Sequence, residues 1–379
     1  MSNTIQNNQE CLEKTKVDEQ NSQPPKASFL DTLKRILQYV FIDGLSGMAL
    51  GLFATLIIGT IIENVGKLFG LSVVAEFFTL AGQFAKFMMG AGIALGMGYK
   101  LKKAPLVSIS AGVVGMLASF VSKIAAGNTV SFSSVGEPLT AFIAAFVALE
   151  VGSLVAGKTK VDIIVTPLTA ILSGTLVAVC IGESIAAFLS LLSGLIQTAG
   201  EQQPFLMGVL VAVLMGMFLT LPISSAAIGV TLGLNGVVAG AAVVGCCTQM
   251  VGYAVMSFRE NKWGGLLAQG LGTSMLQMPN LIKKPVLWLP PIIVSAILGP
   301  ISTCVFQMTS SAVGSGMGTA GLVGVIETFA TMVAYENGWI VLLKIVTLDL
   351  LLPAVMCWGI SELMRKKNII QEGDLKLDL

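Results

Sequence analysis

The sequence predicts an all-α, polytopic integral membrane protein. Hydrophobic residues make up 54% of its 379 residues and charged residues only 11%, whereas an ordinary soluble domain has about 25% charged residues. The mean hydropathy is +0.85. The apolar residues form continuous blocks of about 20 residues or more, the length that crosses a ~30 Å hydrocarbon core. Helices are the predicted spans, because the blocks lack the period-two alternation of barrel strands.

Charge and residue usage exclude several classes of function. The formal net charge is +1, so no nucleic-acid partner is predicted. Histidine is absent, which excludes His-based acid–base chemistry, His metal sites and a phosphohistidine on this chain. The six cysteines show no metal-ligand spacing. No metal site and no cofactor are predicted.

The chain divides into a membrane domain and two polar tails. Residues 1–28 are polar and lack the apolar stretch of a signal peptide, which predicts a disordered cytoplasmic tail. Lys34 and Arg35 precede the first apolar block and predict a cytoplasmic N-terminus. Residues 29–365 form the predicted transmembrane domain in the lipid bilayer, and residues 366–379 form a cytoplasmic C-terminal tail.

The apolar blocks predict about ten transmembrane helices with one or two partial spans, some of them re-entrant or broken. A further apolar stretch, residues 183–199, fits an interfacial position. If residues 264–281 form a full span, the basic groups around Arg259 and Lys284 lie on opposite sides of the membrane, which leaves the topology of the second half open. The predicted blocks are residues 42–65, 73–98, 105–126, 138–156, 161–181, 205–221, 237–257, 264–281, 286–307, 317–335 and 339–363.

Two sequence similarities within the chain suggest an internal repeat. Residues 110–117 resemble residues 240–247, and residues 164–174 resemble residues 288–300, in the same order. Gene duplication would explain both, since internal repeats are the usual architecture of secondary transporters. The alternative is chance similarity, because composition rich in Ala, Gly and Val inflates such matches.

Two stretches, residues 221–236 and residues 309–321, depart from ordinary span composition. Each carries a Ser-Ser-Ala core followed by repeated glycine, which holds a continuous helix poorly. Broken backbone at membrane depth survives only where it lines a cavity or is buried in protein, and paired interrupted segments point to a transporter's binding site. The alternative is that these small residues only permit close helix packing.

The hydroxyl and amide groups of these stretches form the candidate solute-binding set. They suit a polyhydroxylated, uncharged substrate, because neutral hydrogen bonds replace its hydration. Glu327 lies in an apolar block just after the second stretch, and an intramembrane carboxylate is costly enough to be a functional candidate. It would accept sugar hydroxyls or take up a proton. The candidate residues are Ser224, Ser225, Asn235, Thr309, Ser310, Ser311, Glu327 and Thr328.

Two other charged residues are candidates for coupling or for an ion pair. Glu150 lies in an apolar block, and Lys344 lies on the helix that follows Glu327. A pair between Glu327 and Lys344 is the structural alternative to a functional Glu327. Asp349 follows Lys344 at a spacing that is poor for direct pairing on one helix, so each of these two is expected to have its partner elsewhere.

Three runs of sequence carry a family resemblance. They are residues 41–61, the Leu-Pro-Ile-Ser-Ser-Ala-Ala run from Leu221, and the Lys-Lys-Pro-Val-Leu-Trp-Leu-Pro-Pro run from Lys283. Over about residues 30–365 the chain resembles the enzyme IIC-type membrane proteins of the phosphotransferase system, and among them the branch that contains the perfringolysin O regulator. Gly-Val-Ile-Glu-Thr from Gly324 is similar to the Gly-Ile-Thr-Glu-Pro motif of glucose-type IIC proteins, whose Glu binds the sugar. The motif here lacks the Pro and has Ile in place of Thr.

The resemblance implies a multi-pass permease of the bacterial cell membrane, usually a homodimer. Such a protein binds a sugar-like substrate and presents it for phosphorylation by separate IIA and IIB proteins, so the chain is not expected to be catalytic alone. Two alternatives remain: a membrane-embedded sensor or regulator of gene expression without transport, as in toxin regulators, and an ion-coupled secondary transporter with Glu327 or Glu150 as its proton site.

Overall fold

The computed structural model describes residues 35–36, 38–68, 73–131 and 136–377, and within them the regular structure is helical, without a strand. The all-α prediction is therefore confirmed, while the predicted tail 1–28 lies outside the described residues. The helices are α1 Tyr39–Gly66, α2 Val73–Phe87, α3 Met89–Lys100, α4 Pro105–Ala118, α5 Val121–Ala125, α6 Pro138–Val155, α7 Asp162–Gly200, α8 Pro204–Thr220, α9 Ser225–Thr231, α10 Gly236–Met256, α11 Phe258–Leu267, α12 Met278–Lys283, α13 Pro285–Phe306, α14 Val323–Met332 and α15 Gly338–Lys366.

Six of the described helices, namely α1, α6, α7, α10, α13 and α15, are long and apolar enough to cross a membrane. Helices α2 and α3 meet at a bend of 54° and add a seventh span if they cross together. Helices α4 and α8 and residues 320–332 are shorter apolar helices. The chain is therefore a multi-pass membrane protein with interrupted segments among its spans.

Helix α7 differs from its prediction. It runs unbroken for 39 residues, where the sequence suggested one span and a separate interfacial stretch at 183–199. Only 22% of its most apolar window is buried, against 89% for α10. Helix α10 therefore forms the centre of the described core, whereas α7 presents most of its surface outward.

Close packing around α10 depends on two glycines. A Cβ atom at Gly245 would lie 1.9 Å from the carbonyl oxygen of Ala212, and one at Gly240 would lie 2.0 Å from that of Met308. Contacts this short are repulsive, so α8 and the residues that follow α13 approach α10 only because these positions lack a side chain.

The two internal similarities fall on two pairs of contacting helices. Residues 110–117 lie in α4 and residues 164–174 in α7, and these helices pack together; residues 240–247 lie in α10 and residues 288–300 in α13, which also pack together. A duplicated unit would give equivalent contacts of this kind.

Residues 264–281 do not form the predicted span. The chain instead passes through α11, a π-helical turn at Ala268–Gly272, a 3-10 turn at Ser274–Gln277 and the short helix α12. Thr273 is extended between the two turns, with φ −159°. We call residues 258–283 the third broken segment.

Ion pairs show that the basic groups around Arg259 and Lys284 lie on the same side of the domain. Arg259 pairs with Glu362 at 2.8 Å, and Lys284 pairs with Asp374 at 2.6 Å. The Arg365 guanidinium also pairs with Glu260 at 2.8 Å. Both basic groups therefore lie beside residues 362–374. We call this side of the domain the basic end.

Candidate functional site

The two Ser-Ser-Ala stretches lie against each other. The Ser225 hydroxyl donates to the Gly316 carbonyl at 2.7 Å. The backbones of Gly236 and Ser310 exchange two hydrogen bonds, of 3.1 and 3.2 Å, as an isolated antiparallel bridge. The juxtaposition that the sequence suggested is present, and we call residues 221–236 and 309–321 the paired broken segments.

Left-handed backbone interrupts helices in both segments. In the first, α9 is only seven residues long, and Gly233 and Gly236 have φ values of +60° and +64°. In the second, Gly318 and Gly321 have φ values of +52° and +53°, and just before it Gln307 follows α13 with φ 46°. Glycine adopts these angles without a steric penalty, which explains why both stretches are rich in glycine.

The polar side chains of the first segment mostly support its own backbone. Ser224 accepts from the Ala227 amide at 3.2 Å and caps α9, and the Ser225 hydroxyl holds the partner segment. Asn235 is exposed and donates to the Gly233 carbonyl at 2.7 Å. Of these three candidates, Asn235 is the most open to a solute.

In the second segment, polar groups converge on Glu327. The Ser311 hydroxyl donates to the Glu327 Oε2 atom at 2.8 Å. A Cβ at Gly314 would lie 2.6 Å from the Ser310 Oγ atom and 2.8 Å from the Glu327 Cβ atom, so both residues lie directly against this glycine. The structure thus brings two serines and one half-buried carboxylate to a single point.

Two hydroxyls near Glu327 are buried without a hydrogen-bond partner among the described residues, namely Ser310 Oγ and Thr328 Oγ1. Thr309 is tied to the helix that carries Glu327, because its carbonyl accepts from the Thr331 hydroxyl at 2.8 Å. A buried hydroxyl without a partner costs about 1–3 kcal/mol.

The suggested pair between Glu327 and Lys344 does not form. The Lys344 ammonium lies 2.7 Å from the Glu336 carboxylate and 3.1 Å from the Phe306 carbonyl. Glu150 pairs with Lys103 at 2.9 Å. Of the two candidate carboxylates, Glu150 is thus paired with a cation, whereas Glu327 accepts a hydrogen bond from a hydroxyl among the described residues.

Helix α1 contributes residues that the sequence reasoning missed. The Asn64 amide donates to the Gly321 carbonyl at 2.5 Å and holds the end of the second segment. The adjacent Glu63 pairs with Lys86. An amide within an apolar block is the signal that could have pointed to Asn64.

Asp349 was expected to have a partner other than Lys344 but was not named as a candidate site residue. It is fully buried on the π-helical turn Val346–Leu351 of α15. The Cys247 thiol of α10 lies against its carboxylate, and no nitrogen or oxygen donor within the described residues reaches either carboxylate oxygen. Such an intramembrane carboxylate is a functional candidate by default.

The described residues contain no group of three or more Cys, Asp or Glu side chains that could hold a metal ion. The arrangement around Glu327 offers neutral hydroxyls and one carboxylate. It can hold hydroxyl groups by hydrogen bonds.

Comparison with known families gives one match. Residues 42–377 match the family model described as phosphotransferase system, EIIC. The match includes the paired broken segments, the third broken segment and the residues that follow α15. No curated protein matches the chain.

Proposed function

We propose a function from one premise: the chain belongs to the phosphotransferase system EIIC family, whose model covers residues 42–377. At the family level it is a multi-pass membrane permease with a sugar as substrate and IIA and IIB components as partners. Our proposal is that this chain binds its sugar-like solute between the paired broken segments and carries it across the membrane.

The convergence of Ser310, Ser311 and Glu327 on Gly314 is the observation that carries this proposal. A carboxylate that already accepts from a serine hydroxyl can accept from a sugar hydroxyl in the same way, and such charge-assisted bonds are stronger than neutral ones. Ser310 and Thr328 supply further hydroxyls, and Ser224, Ser225, Asn235 and Thr309 hold or border the cleft.

Phosphorylation of the bound sugar requires another polypeptide. The chain has no histidine, so a phosphohistidine must be carried by a separate component. The permease would hold one sugar hydroxyl toward that carrier. The positive-inside rule supports a cytoplasmic position for the basic end, where Arg259, Lys284 and Arg365 meet, and for the N-terminus. A homodimer in the bacterial cell membrane completes the proposal.

The test replaces Glu327 with Gln and measures sugar binding to purified protein from a panel of hexoses, hexitols and disaccharides. We expect the Kd of the cognate sugar to rise about 10- to 100-fold, because a hydrogen bond to a charged group contributes about 1.5–3 kcal/mol. Glu336→Gln is the matched control, since this carboxylate pairs with Lys344 instead. Equal affinity of E327Q and wild-type protein would remove Glu327 from the site.

Transport mode is tested in membrane vesicles that contain the chain with or without IIA and IIB proteins. Uptake that depends on phosphoenolpyruvate and on both carriers supports the proposal. Sugar binding without uptake would favour the sensor or regulator, as in the perfringolysin O regulator branch. Uptake by the chain alone that a protonophore abolishes would favour ion coupling, for which the buried Asp349 is a better candidate than the ion-paired Glu150.

A further inference from the structure

The chain does not end at α15. Residues 371–377 turn back onto the third broken segment, and we call them the C-terminal strap. The turn is made by Gly373, with φ +93°, and by Asp374, whose carboxylate accepts from the backbone N–H of Gln371 at 2.6 Å. Leu375 is completely buried. The strap is therefore packed into the domain, although its sequence suggests a polar tail.

Amide side chains of the third broken segment hold the main chain of the strap. Asn261 donates from Nδ2 to the Leu375 carbonyl and accepts from the Leu377 N–H through Oδ1, both at 2.8 Å. Gln277 donates to the same Leu375 carbonyl at 3.0 Å, and Asn280 donates to the Lys376 carbonyl at 2.8 Å. Main-chain hydrogen bonds of this kind also give affinity when a protein binds a peptide.

The amides are held in place by one another. Gln277 Nε2 donates to Gln269 Oε1 at 2.9 Å, and Gln269 Nε2 donates to the Ser257 hydroxyl at 2.7 Å. Asn280 donates to Gln277 Oε1 at 2.8 Å. Gln269 and Gln277 are completely buried. Gln269, Gln277 and Asn280 thus form a connected network, and Asn261 joins it through the Leu375 carbonyl that it shares with Gln277. We call these four residues the amide cluster.

Side chains of the strap add selectivity to these main-chain bonds. Leu375 is buried, and Leu377 packs against a small apolar cluster of Ala49, Ala268 and Leu276. Asp374 pairs with Lys284 at 2.6 Å, with both side chains partly exposed. By contrast, the side chain of Lys376 is exposed, and only its carbonyl is bound.

We propose that the amide cluster is a peptide-binding cleft and that the C-terminal strap is its resident, releasable ligand. The cleft takes a main chain that turns at residues 372–375, with a leucine at the buried position and an acidic residue next to it. The strap is a short segment outside the helices of the domain, the kind of segment that opens without global unfolding. Release of the strap removes its contacts with the third broken segment. What this release changes in the permease rests on the proposed function.

The test uses a chain truncated after Ile370 and a labelled synthetic peptide of residues 371–379, with binding measured by fluorescence anisotropy in nanodiscs. We expect the peptide to bind the truncated protein and to bind the full-length protein at least ~10-fold more weakly, because the linked strap competes at a high effective concentration. In the peptide, L375A raises the Kd at least ~10-fold through the lost buried side chain, whereas K376A changes it by less than about twofold.

Equal affinity of the L375A and K376A peptides, or no binding of the unaltered peptide to the folded truncated protein, would overturn the proposal. If the truncated chain does not fold, hydrogen exchange in the full-length protein decides instead. We expect the Leu377 amide to exchange at least ~100-fold faster than the core amides of α10, as for a sub-global opening. Exchange of Leu377 at the α10 rate would show a strap that opens only on unfolding. Neither assay contains sugar or a phosphoryl donor, so both results can be interpreted even if the permease proposal fails.

Discussion

The paired broken segments and the third broken segment both interrupt helices within the membrane domain, but their polar groups are satisfied in different ways. In the paired segments and the helix α14 that follows them, Ser310 Oγ and Thr328 Oγ1 are buried without a partner among the described residues, and Glu327 accepts from one hydroxyl. In the third segment, Gln269 and Gln277 bond to each other and to neighbouring groups, one of which is the strap.

The two regions therefore differ in how their buried polar groups are satisfied. Leaving a buried donor or acceptor without a partner costs about 1–3 kcal/mol, a cost that applies to Ser310 and Thr328 and that Gln269 and Gln277 avoid. A ligand at the amide cluster must displace the strap and offer the same main-chain groups.

The largest effect is expected when a side chain is added to a glycine of the paired broken segments. A Cβ at Gly316 would lie 2.3 Å from the Ser225 carbonyl oxygen, whereas one at Gly264 in the third segment would meet nothing within 4 Å. We expect Gly316→Ala to lower stability by about 3 kcal/mol through overpacking and to abolish solute binding. Gly264→Ala, the control, should change stability by less than ~0.5 kcal/mol. Thermal unfolding of the two purified variants is the measurement, and equal midpoints would contradict the tight pairing.

An intermediate effect is expected in the amide cluster. Gln277→Met keeps the shape of the side chain but removes the donor to Leu375 and the acceptor for Asn280. We expect a loss of about 2 kcal/mol in the free energy of unfolding, because buried partners are left unsatisfied. Gln371→Met, at an exposed position of the strap, should be nearly neutral. Denaturant titration compares the two, and a neutral Gln277→Met would show that water replaces the lost bonds.

The smallest effect is expected when the ion pair between Lys284 and Asp374 of the strap is removed. Lys284 pairs with Asp374, while the neighbouring Lys283 is exposed. A partly exposed pair contributes about 0.2–1 kcal/mol and is screened by salt. We therefore expect Lys284→Gln to raise the exchange rate of the strap amides about two- to fivefold at low salt and less at high salt. Lys283→Gln serves as the matched control; the same change in both variants would assign the effect to net charge.

Much of the candidate site could be predicted from sequence. Clustered glycine predicted the paired broken segments, with Pro222 added in the first, since these residues interrupt helices through the backbone of the residue itself. The sequence placed Glu327 just after the second segment, but its contact with Ser311 was not predicted. Asn64 was missed because a single amide near the end of an apolar block gives only a weak signal.

The third broken segment shows where such reasoning fails. Residues 264–281 are apolar enough to suggest a span, but α11 is followed by two irregular turns and an extended Thr273. Hydropathy sums the side chains of a window and ignores backbone angles, so it cannot distinguish a span from a buried irregular segment. The strap was missed for a related reason, because Leu375 is one apolar residue among charged neighbours.

The sequence by itself determined the all-helical membrane architecture, the exclusion of histidine chemistry and the breaks in the paired segments, because these depend on composition and on the local preferences of each residue. Only the tertiary structure decided which segments meet. The bond from Ser225 to Gly316 joins residues 91 positions apart, and that from Asn261 to Leu375 joins residues 114 positions apart. Such contacts depend on how helices pack across the whole domain, and the same packing decides which polar groups remain open to a solute.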